Sequence, residues 1–560
     1  MGYVGGQALP EDFGKTLLAQ LQPGDMASGP EAAALALMRQ GQYLDAAQQL
    51  DALTAAPKAS IWAWLLAGYC YLAAEIADEA LYCLQIAVHR DSRNGLAHYC
   101  LGHAWYKTGE KSAAAEAFAK ARSLLPEFAA AAVYEATTRY ELDQYGASLS
   151  LLEAVLRDYP DDPEILNQTG LVLLRGFGEA ERALELFHRS IARSDGSNRS
   201  ASINQALALR CLGNYAESIA RYDTLLREAD EPYLRWQRSL ALLTAGNFER
   251  AWDDYPHRWM VPGARSHEFR FPAWTPPARA AETILVLSEQ GLGDQILFST
   301  CIPDLLHSAA AQGSQVVIEC NPKLQALFQR SFGGAQVVAR GKADDQLLLR
   351  QLSGQSCRQV FMGDLPGLYR RHAQDFPVTP ILRADPERVG YWRARLDKLG
   401  SGTKIGISWR GGLPGTNSAL RSVDLPCWLP LLRQPDCHFV SLQYGQNQAD
   451  LAYARDNGIG VSHWNEAIET YDETAALVEA LDCVVSVCTS LVHLAGALGK
   501  PTSVLVPVVP EWAFGGTGNA MPWYASVQLF RQSRLGEWSD PMARVAARMA
   551  RNGSAPDMRD

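Results

Sequence analysis

The 560-residue sequence predicts an α + α/β fold, in which an α-helical repeat array precedes two α/β lobes. Small residues recur with a period of 34 in the N-terminal half, which is typical of helical repeats. In the C-terminal half, short β-branched runs alternate with helical stretches, a pattern that predicts parallel sheets. The composition, with 48% hydrophobic and 20% charged residues, is that of a globular rather than a disordered chain.

The repeat pattern consists of two columns of small residues. Five of seven residues are small in the first column, which comprises Ala34, Gly68, Gly102, Ala136, Gly170, Asn204 and Arg238. Ala183 and Ala251 fall one place late in the second column, which indicates single-residue slips. That column begins twelve positions after the first and comprises Ala46, Ala80, Ala114, Ser148, Arg182, Ala216 and Arg250. A period of 34 resembles the tetratricopeptide repeat, in which paired helices cross so closely that only small side chains fit.

We expect six or seven such repeats over residues 27–259, wound into an α-solenoid. Arrays of this kind present a concave surface that holds an extended segment or a helix of a partner protein. The alternative is a generic alanine-rich helical bundle, which does not require the observed period.

A proline-rich linker at 260–282 ends the repeats, and two Rossmann-like lobes are predicted at 283–385 and 386–545. Ligands of such open sheets bind at the carboxyl ends of the strands, in the cleft between lobes. We expect strands at Thr283–Ser288, Gln315–Cys320, Ala335–Val338, Gln359–Met362, Lys404–Trp409, His438–Leu442, Cys483–Val487 and Thr502–Val506.

Missing motifs argue against several classes of function. The turn Gly291–Gly293 lacks the full G-x-G-x-x-G pattern of nicotinamide dehydrogenases, and no G-x-x-x-x-G-K-[ST] loop indicates a kinase or ATPase. The formal net charge of −10 disfavours nucleic acid as a partner. No clustered metal ligands are present near the predicted cleft, so we expect transfer chemistry without a metal ion, with positive side chains in its place.

The sequence favours a cytoplasmic location. Its 11 cysteines are scattered, odd in number and without a C-x-x-C pair, as expected for reduced, mostly buried thiols. Residues Met1–Gly14 lack the basic start and apolar core of a signal peptide. No apolar run approaches the ~20 residues that are needed to span a bilayer.

Six motifs of the C-terminal half occur in order, several of them at predicted strand ends: Gln290–Asp294, Ile407–Gly411, Leu420–Ser422, Phe439–Gln443, Thr474–Val478 and Val487–Pro501. Together they resemble the GT-B glycosyltransferases of the heptosyltransferase-like superfamily that are fused to tetratricopeptide repeats. Pro510–Trp512, Met521–Ser526 and Leu529–Gln532 look most like the bacterial flagellin glycosyltransferases. The architecture is also similar to that of the O-linked N-acetylglucosamine transferases.

The resemblance implies a GT-B protein O-glycosyltransferase, with the acceptor side on the first lobe and nucleotide-sugar binding on the second. It implies that the repeats hold an acceptor protein, with flagellin as the expected acceptor. The flagellin likeness suggests a CMP-linked nine-carbon acidic sugar as the donor substrate, and no further cofactor is expected.

Thr489, Ser490 and Leu491 follow a predicted strand and open a predicted helix. A helix N-terminus carries partial positive charge and free N–H donors, so it suits the phosphate of a nucleotide. The alternative is an ordinary N-cap by Thr489 or Ser490.

Two arginines and a glutamine are further candidates for substrate binding. Arg410 and Arg421 lie on the loop after the first strand of the second lobe, where a cation can neutralise a leaving phosphate. By resemblance, Arg421 matches the basic phosphate contact of the family better than Arg410, although either residue can be a surface arginine. Gln443 is expected to contact the nucleoside or to cap a turn.

Asp294 is the candidate general base, because the glycine turn of Gly291 and Gly293 faces it towards the donor site. Its alternative role is to cap a helix. His493 is the second catalytic candidate, as a donor to a sugar or phosphate oxygen, unless it is a core residue.

Cys488 departs from the family pattern, because many relatives have an acidic residue at this position. A thiol cannot accept two hydroxyl bonds from a donor sugar, but it repels an anionic sugar less than a carboxylate does. The departure keeps one alternative open, a catalytically inactive repeat scaffold with a degenerate transferase domain. A separate alternative is a glycosyltransferase that acts on a lipopolysaccharide-type saccharide, which a repeat arm suited to proteins disfavours.

Overall fold

The computed structural model describes residues 30–56, 59–261, 271–276, 281–341, 346, 348, 350–352, 356–412, 418–445 and 447–552. The chain divides into two compact units, Met1–Leu209 and Arg210–Asp560. Helices followed by parallel sheets confirm the predicted α + α/β fold class. Residues 1–29 and two parts of the predicted linker, 262–270 and 277–280, lie outside the described residues.

The described part of the first unit is built from helices. Their bounds are Pro30–Arg39, Tyr43–Thr54, Ile61–Ala73, Ala77–Arg90, Gly95–Lys107, Lys111–Leu124, Ala129–Glu141, Tyr145–Asp158, Pro163–Val172, Ala180–Arg193 and Arg199–Cys211. The first column of small residues lies where paired helices cross. A Cβ atom on Gly102 would lie 2.6 Å from the ring of Phe118, and one on Gly170 would lie 2.7 Å from Phe187. Close packing therefore explains the small residues of the repeat.

One of the two slips in the second column has a local cause. A π-helical turn, Leu173–Phe177, directly follows the helix Pro163–Val172 and is ended by Gly178, whose φ is 69°. A π turn accommodates an additional residue relative to an α turn. Ala183 consequently takes the buried position of the column one place late.

The second unit begins with the helices Tyr215–Glu228, Pro232–Thr244 and Phe248–Asp254 and the 3-10 helix Tyr255–Met260. These elements share a hydrophobic core with the sheets that follow. The ring of Trp252 lies 6.1 Å from that of Trp512, and its indole N–H donates to the carbonyl of Arg370 at 2.9 Å. The last helices before residue 260 thus pack with the α/β region. The predicted domain limits at 259 and 282 stay predictions.

The first lobe contains a four-stranded parallel sheet in the order β3-β2-β1-β4. Its strands are β1 (Thr283–Leu287), β2 (Gln315–Cys320), β3 (Gln336–Ala339) and β4 (Cys357–Phe361), within two residues of the predicted ones. All five residues of β1 are buried, as expected for a central parallel strand. Its helices include Leu292–Phe298, Ile302–Ala310, Gln325–Ser331 and Pro366–Tyr369.

The second lobe contains a six-stranded parallel sheet in the order β10-β9-β8-β5-β6-β7. The strands are β5 (Thr403–Ser408), β6 (Cys437–Ser441), β7 (Val461–His463), β8 (Cys483–Val487), β9 (Thr502–Val506) and β10 (Val527–Arg531). The strand order reverses between β5 and β8, which is the arrangement of a Rossmann sheet. Its helices are Pro386–Asp397, Ser418–Arg421, Leu429–Leu432, Gln448–Asp456, Glu466–Glu469, Tyr471–Ala480, Ser490–Ala497 and Ser539–Asn552.

Candidate functional site

The strand order places the candidate residues of the second lobe at one edge of its sheet. β5 and β8 are hydrogen-bonded neighbours, with Ser408 opposite Ser486. Arg410 follows β5, Gln443 follows β6, and the segment 488–491 follows β8. All three strands are parallel, so their carboxyl ends lie at the same edge of the sheet. The strand order reverses there, between β5 and β8, and we call this position the switch point of the lobe. Open α/β sheets bind ligands at such switch points.

The helix Ser490–Ala497 begins at this edge. Thr489 occupies the N-cap position in an extended conformation, yet its side chain makes no hydrogen bond to the first turn. The hydroxyl of Ser490 accepts a hydrogen bond from Tyr471, and the side chain of Leu491 packs in the core. An ordinary side-chain cap by Thr489 is therefore not formed. The first-turn N–H groups and the positive end of the helix dipole lie at the switch point, as an anion site requires.

Gln443 is buried and is hydrogen-bonded to the backbone of the segment that follows β5. Its Oε1 accepts hydrogen bonds from the backbone N–H groups of Trp409 and Arg410 at 3.0 and 2.9 Å and from the Ser408 hydroxyl at 3.1 Å. This geometry shapes the loop that carries Arg410. Contact between Gln443 and a nucleoside stays a prediction.

Arg410 is partly exposed and is oriented by Asp450. Its Nη2 donates to Asp450 Oδ1 at 2.7 Å, while the indole N–H of Trp409 donates to the other carboxylate oxygen at 3.1 Å. Asp450 thus holds the guanidinium of Arg410 near the switch point. Asp450 was not identified from the sequence.

Arg421 forms an ion pair with Glu511, which follows β9. A Cβ atom on Gly411 would lie 2.7 Å from Arg421 Cγ, so any larger residue at position 411 would have to displace this side chain. Both arginine candidates lie after β5 at the carboxyl edge of the sheet, Arg421 at the end of the short helix Ser418–Arg421, and each has a carboxylate partner. Glu511 lies in a motif that the resemblance singled out, but its pairing joins positions 90 residues apart.

Cys488 is buried, and its thiol lies 3.6 Å from the carbonyl oxygen of Leu505 in β9. Burial raises the pKa of this thiol, so it stays protonated. The side chain is turned towards the sheet, which does not favour direct contact with a donor sugar. Such a contact stays a prediction.

Asp294 lies at the start of the helix Leu292–Phe298, where its Oδ2 accepts a hydrogen bond from the Gly291 N–H at 3.0 Å. The carboxylate thus binds back from the third helical position to the N-cap residue, Gly291, and does not itself occupy the N-cap position that its alternative role implied. Desolvation raises the pKa of Asp294 to about 7, and the negative charge of Glu511 adds to the shift. A carboxyl group with this pKa is also suited to accept a proton at neutral pH.

Gly293 lies where the first lobe contacts the second. A Cβ atom at this position would lie 3.1 Å from His493 Cδ2 and 3.3 Å from Ser490 Cα. The glycine turn of the first lobe thus packs against the opening of the helix Ser490–Ala497, which brings Asp294 to the predicted phosphate site. The close approach explains why glycine stands at position 293.

His493 is buried between the aromatic rings of Phe514 and Tyr524. The Tyr524 hydroxyl lies 3.5 Å from its Nδ1. Desolvation lowers the pKa of His493 to about 4, so the ring is neutral at pH 7. This placement matches the core alternative, and a catalytic role stays a prediction.

The corresponding switch point of the first lobe, between β1 and β4, is filled by an ion network. Glu289 follows β1 and binds the guanidinium of Arg258, from the 3-10 helix Tyr255–Met260, at 2.6 and 2.9 Å. It also accepts the N–H of Gly363, after β4, at 2.7 Å, and Asp364 binds Arg258 at 2.7 Å. These residues were not identified from the sequence.

In the described part of the chain, no His, Cys, Asp or Glu residues are grouped as a metal site would require. Among the same residues, no helix has the length and apolar character of a membrane span.

The family described as the tetratricopeptide repeat matches residues 134–198 and 203–255. The N-terminal helical region is a tetratricopeptide-repeat solenoid. Such solenoids act as protein-binding arms, because each repeat adds to one continuous surface.

Protein FlbA of Caulobacter vibrioides is 28% identical to the chain over 463 residues, which cover 80% of this chain and 77% of FlbA. Since 463 residues exceed the length of either compact unit, the similarity includes both the solenoid and the α/β region.

Three solved structures are also similar to the chain. A tetratricopeptide repeat protein from Parabacteroides merdae is 16% identical, with a TM-score of 0.37, over 42% of this chain and 92% of that protein. The APC/C heterotetramer Cut9–Hcn1 is 17% identical, with a TM-score of 0.36, over 41% and 46%. The type IV pilus biogenesis factor PilW is 18% identical, with a TM-score of 0.33, over 35% and 91%.

Proposed function

We propose that this protein is a glycosyltransferase that moves a sugar from a nucleotide-sugar donor to hydroxyl groups of a protein held by the tetratricopeptide-repeat arm. The proposal depends above all on the packing of the Asp294 turn against the helix that begins at Ser490. This packing brings a carboxyl group with a pKa of about 7 to a helix N-terminus that Thr489 does not cap. Sugar transfer needs both groups, a base for the hydroxyl and positive charge for the phosphate.

In the proposed reaction, Asp294 takes the proton of the acceptor hydroxyl. The hydroxyl oxygen forms a bond to the anomeric carbon of the sugar, and the bond from that carbon to the phosphate oxygen breaks. The electron pair leaves with the phosphate, whose growing charge is stabilised by Arg421, Arg410 and the N–H groups after Thr489. Positive side chains and backbone donors thus do the work that a metal ion does in other transferases.

The donor is a nucleotide-sugar bound by the second lobe. Tyr444, which directly follows Gln443 at the end of β6, is an exposed aromatic residue and offers a surface for the nucleobase. The resemblance to flagellin glycosyltransferases favours a CMP-linked nine-carbon acidic sugar. A buried, protonated Cys488 adds no negative charge next to such a sugar.

The acceptor is a protein, and flagellin is the acceptor that the resemblance favours. A solenoid that binds protein segments supports this class over a lipid-linked saccharide. The similarity to FlbA extends through both units, which supports a joint role for arm and α/β region. Donor and acceptor meet in the cytoplasm, where nucleotide-sugars are made.

A catalytically inactive scaffold is the second candidate. The buried Cys488 favours it, because this side chain offers no carboxylate to a sugar hydroxyl. The two candidates differ in one observable, since a scaffold binds the acceptor without changing its mass.

Intact-mass spectrometry of flagellin tests the proposal, with flagellin taken from strains with and without this gene. We expect flagellin to lose one or more sugar masses when the gene is deleted and to regain them when the gene is restored. A restored copy that carries Asp294→Asn provides the matched control and should leave flagellin unmodified. Flagellin of the same mass in all strains would rule out this acceptor, and full modification by Asp294→Asn would rule out the proposed base.

A further inference from the structure

The ion pair between Arg421 and Glu511 joins two loops at the carboxyl edge of the second sheet. Arg421 ends the helix Ser418–Arg421 after β5, and Glu511 follows β9. Only 11% of the Arg421 side chain is exposed, whereas 54% of the Glu511 side chain is. The pair thus has one member enclosed by the protein and one member in contact with solvent.

The guanidinium lies beside the predicted phosphate site. Arg421 follows β5 and Glu511 follows β9, and both strands are hydrogen-bonded to β8, so the pair lies across the end of β8. The chain passes from Cys488 to Thr489 and into the helix Ser490–Ala497. An anion at this helix N-terminus therefore also meets Arg421, and a phosphate can form two parallel hydrogen bonds with a guanidinium.

We propose that Glu511 occupies, before a donor binds, the position at Arg421 that the donor phosphate takes, so that donor binding breaks the ion pair. The inference rests on the proposed function, since it assigns a role at the same site. Glu511 is then a positioning residue: it holds the guanidinium until the phosphate replaces it.

The released carboxylate acts on the candidate base. Glu511 is the charged neighbour with the largest effect on Asp294, whose pKa it raises. While Arg421 is paired with Glu511, it neutralises part of this charge, and once Arg421 binds phosphate it no longer does so. Asp294 therefore becomes a stronger base when the donor is in place, which favours donor binding before the acceptor is deprotonated. The other titratable groups near Asp294 are Glu289, Tyr255, Tyr524 and the neutral His493.

Calorimetric titration of CMP into the full chain tests the displacement. The Glu511→Gln variant removes the competing charge, so we expect it to bind CMP about tenfold more tightly than the unsubstituted protein. Glu466→Gln is the matched control, because Glu466 is also paired with an arginine, Arg395, and is 45% exposed. We expect it to leave CMP affinity unchanged.

Equal or weaker CMP binding by Glu511→Gln, at an unchanged melting temperature, would overturn the displacement but leave the proposed function intact. If neither the unsubstituted protein nor Glu511→Gln binds CMP, UDP or inorganic phosphate, the phosphate site fails and both proposals fall. Equal tightening by Glu466→Gln would show a general charge effect and would also overturn the displacement.

The pH profile of transfer gives a second readout, which a purely structural role of Glu511 would not move. Loss of the negative charge lowers the pKa of Asp294, so the acid limb of kcat/KM should move to lower pH in Glu511→Gln. An acid limb at the same pH in both proteins would contradict the coupling between Glu511 and the base.

Discussion

The two parallel sheets have related strand orders, yet they differ at the point where each order reverses. In the first lobe, Arg258 fills the crevice and binds Glu289, with 6% of the arginine side chain exposed. In the second lobe, Arg410 stands at the crevice with 43% of its side chain exposed, beside a helix that Thr489 does not cap. The fold provides a crevice in both lobes, and the segment of the chain that packs beside each crevice decides whether it remains available to a ligand.

The origin of the filling residue explains the difference. Arg258 belongs to the 3-10 helix Tyr255–Met260, which joins the core of the α/β region after the last helix before residue 260. The first switch point thus serves to fix this segment to the first lobe. The second is bordered by Arg410, Gln443 and Thr489 of its own lobe, and the Gly293 turn of the first lobe packs against the helix that begins there.

The same substitution at both switch points tests this contrast, and the largest effect is expected at the first. Arg258→Met leaves Glu289 buried without its cation, which should cost about 3–5 kcal/mol of stability. Arg410→Met is the matched control and should cost at most about 1 kcal/mol, because its pair with Asp450 is partly exposed. Differential scanning calorimetry measures both changes. Similar losses in the two variants would show that the switch points do not differ as described.

Arg421→Ala tests whether the switch point of the second lobe serves catalysis. A guanidinium that meets developing phosphate charge supplies about 3 kcal/mol, so the rate of transfer should fall about 10²-fold in a protein that still folds. Steady-state kinetics of sugar transfer provide the check. Wild-type turnover in a folded Arg421→Ala protein would leave Arg421 with a structural role alone, as the enclosed partner of Glu511.

Asp294→Asn tests whether the first lobe supplies the base while the second lobe binds the nucleotide. Asparagine keeps the size and the capping oxygen of Asp294 but cannot take a proton, so transfer should fall roughly 10²-fold or more. Nucleotide affinity should change little, because the nucleotide binds to the other lobe. Rate and affinity are measured by transfer kinetics and calorimetry on one preparation. Transfer at the wild-type rate would leave Asp294 as a helix cap alone.

Much of the secondary structure was predictable from the sequence. The column of Gly68, Gly102 and Gly170 indicated helix crossings, and β-branched runs such as Cys483–Val487 indicated buried strands. Two strands, β7 and β10, were not predicted. β7 has only three residues at the edge of the sheet, and β10 was recognised only as a motif.

The candidate site was predictable only in part. Gly291, Gly293, Asp294 and the segment 488–491 were identified from local motifs, because a strand, a turn and a helix follow one another in the sequence. The partners Asp450, Glu511 and Tyr471 were not, because each pairing joins distant segments. For Gln443 the sequence left nucleoside contact and turn capping open; its amide holds the backbone after β5, and the nucleoside contact stays a prediction.

The sequence by itself determined which segments are helices and strands and which strand ends carry polar residues, since these properties follow from local periodicity and turn chemistry. Tertiary structure decided which crevice is filled by Arg258, which carboxylate faces Arg421 and how strongly Asp294 holds its proton. These outcomes depend on burial and on charges brought together from distant segments. A linear pattern does not contain those distances, and pKa values and ion pairs are functions of them.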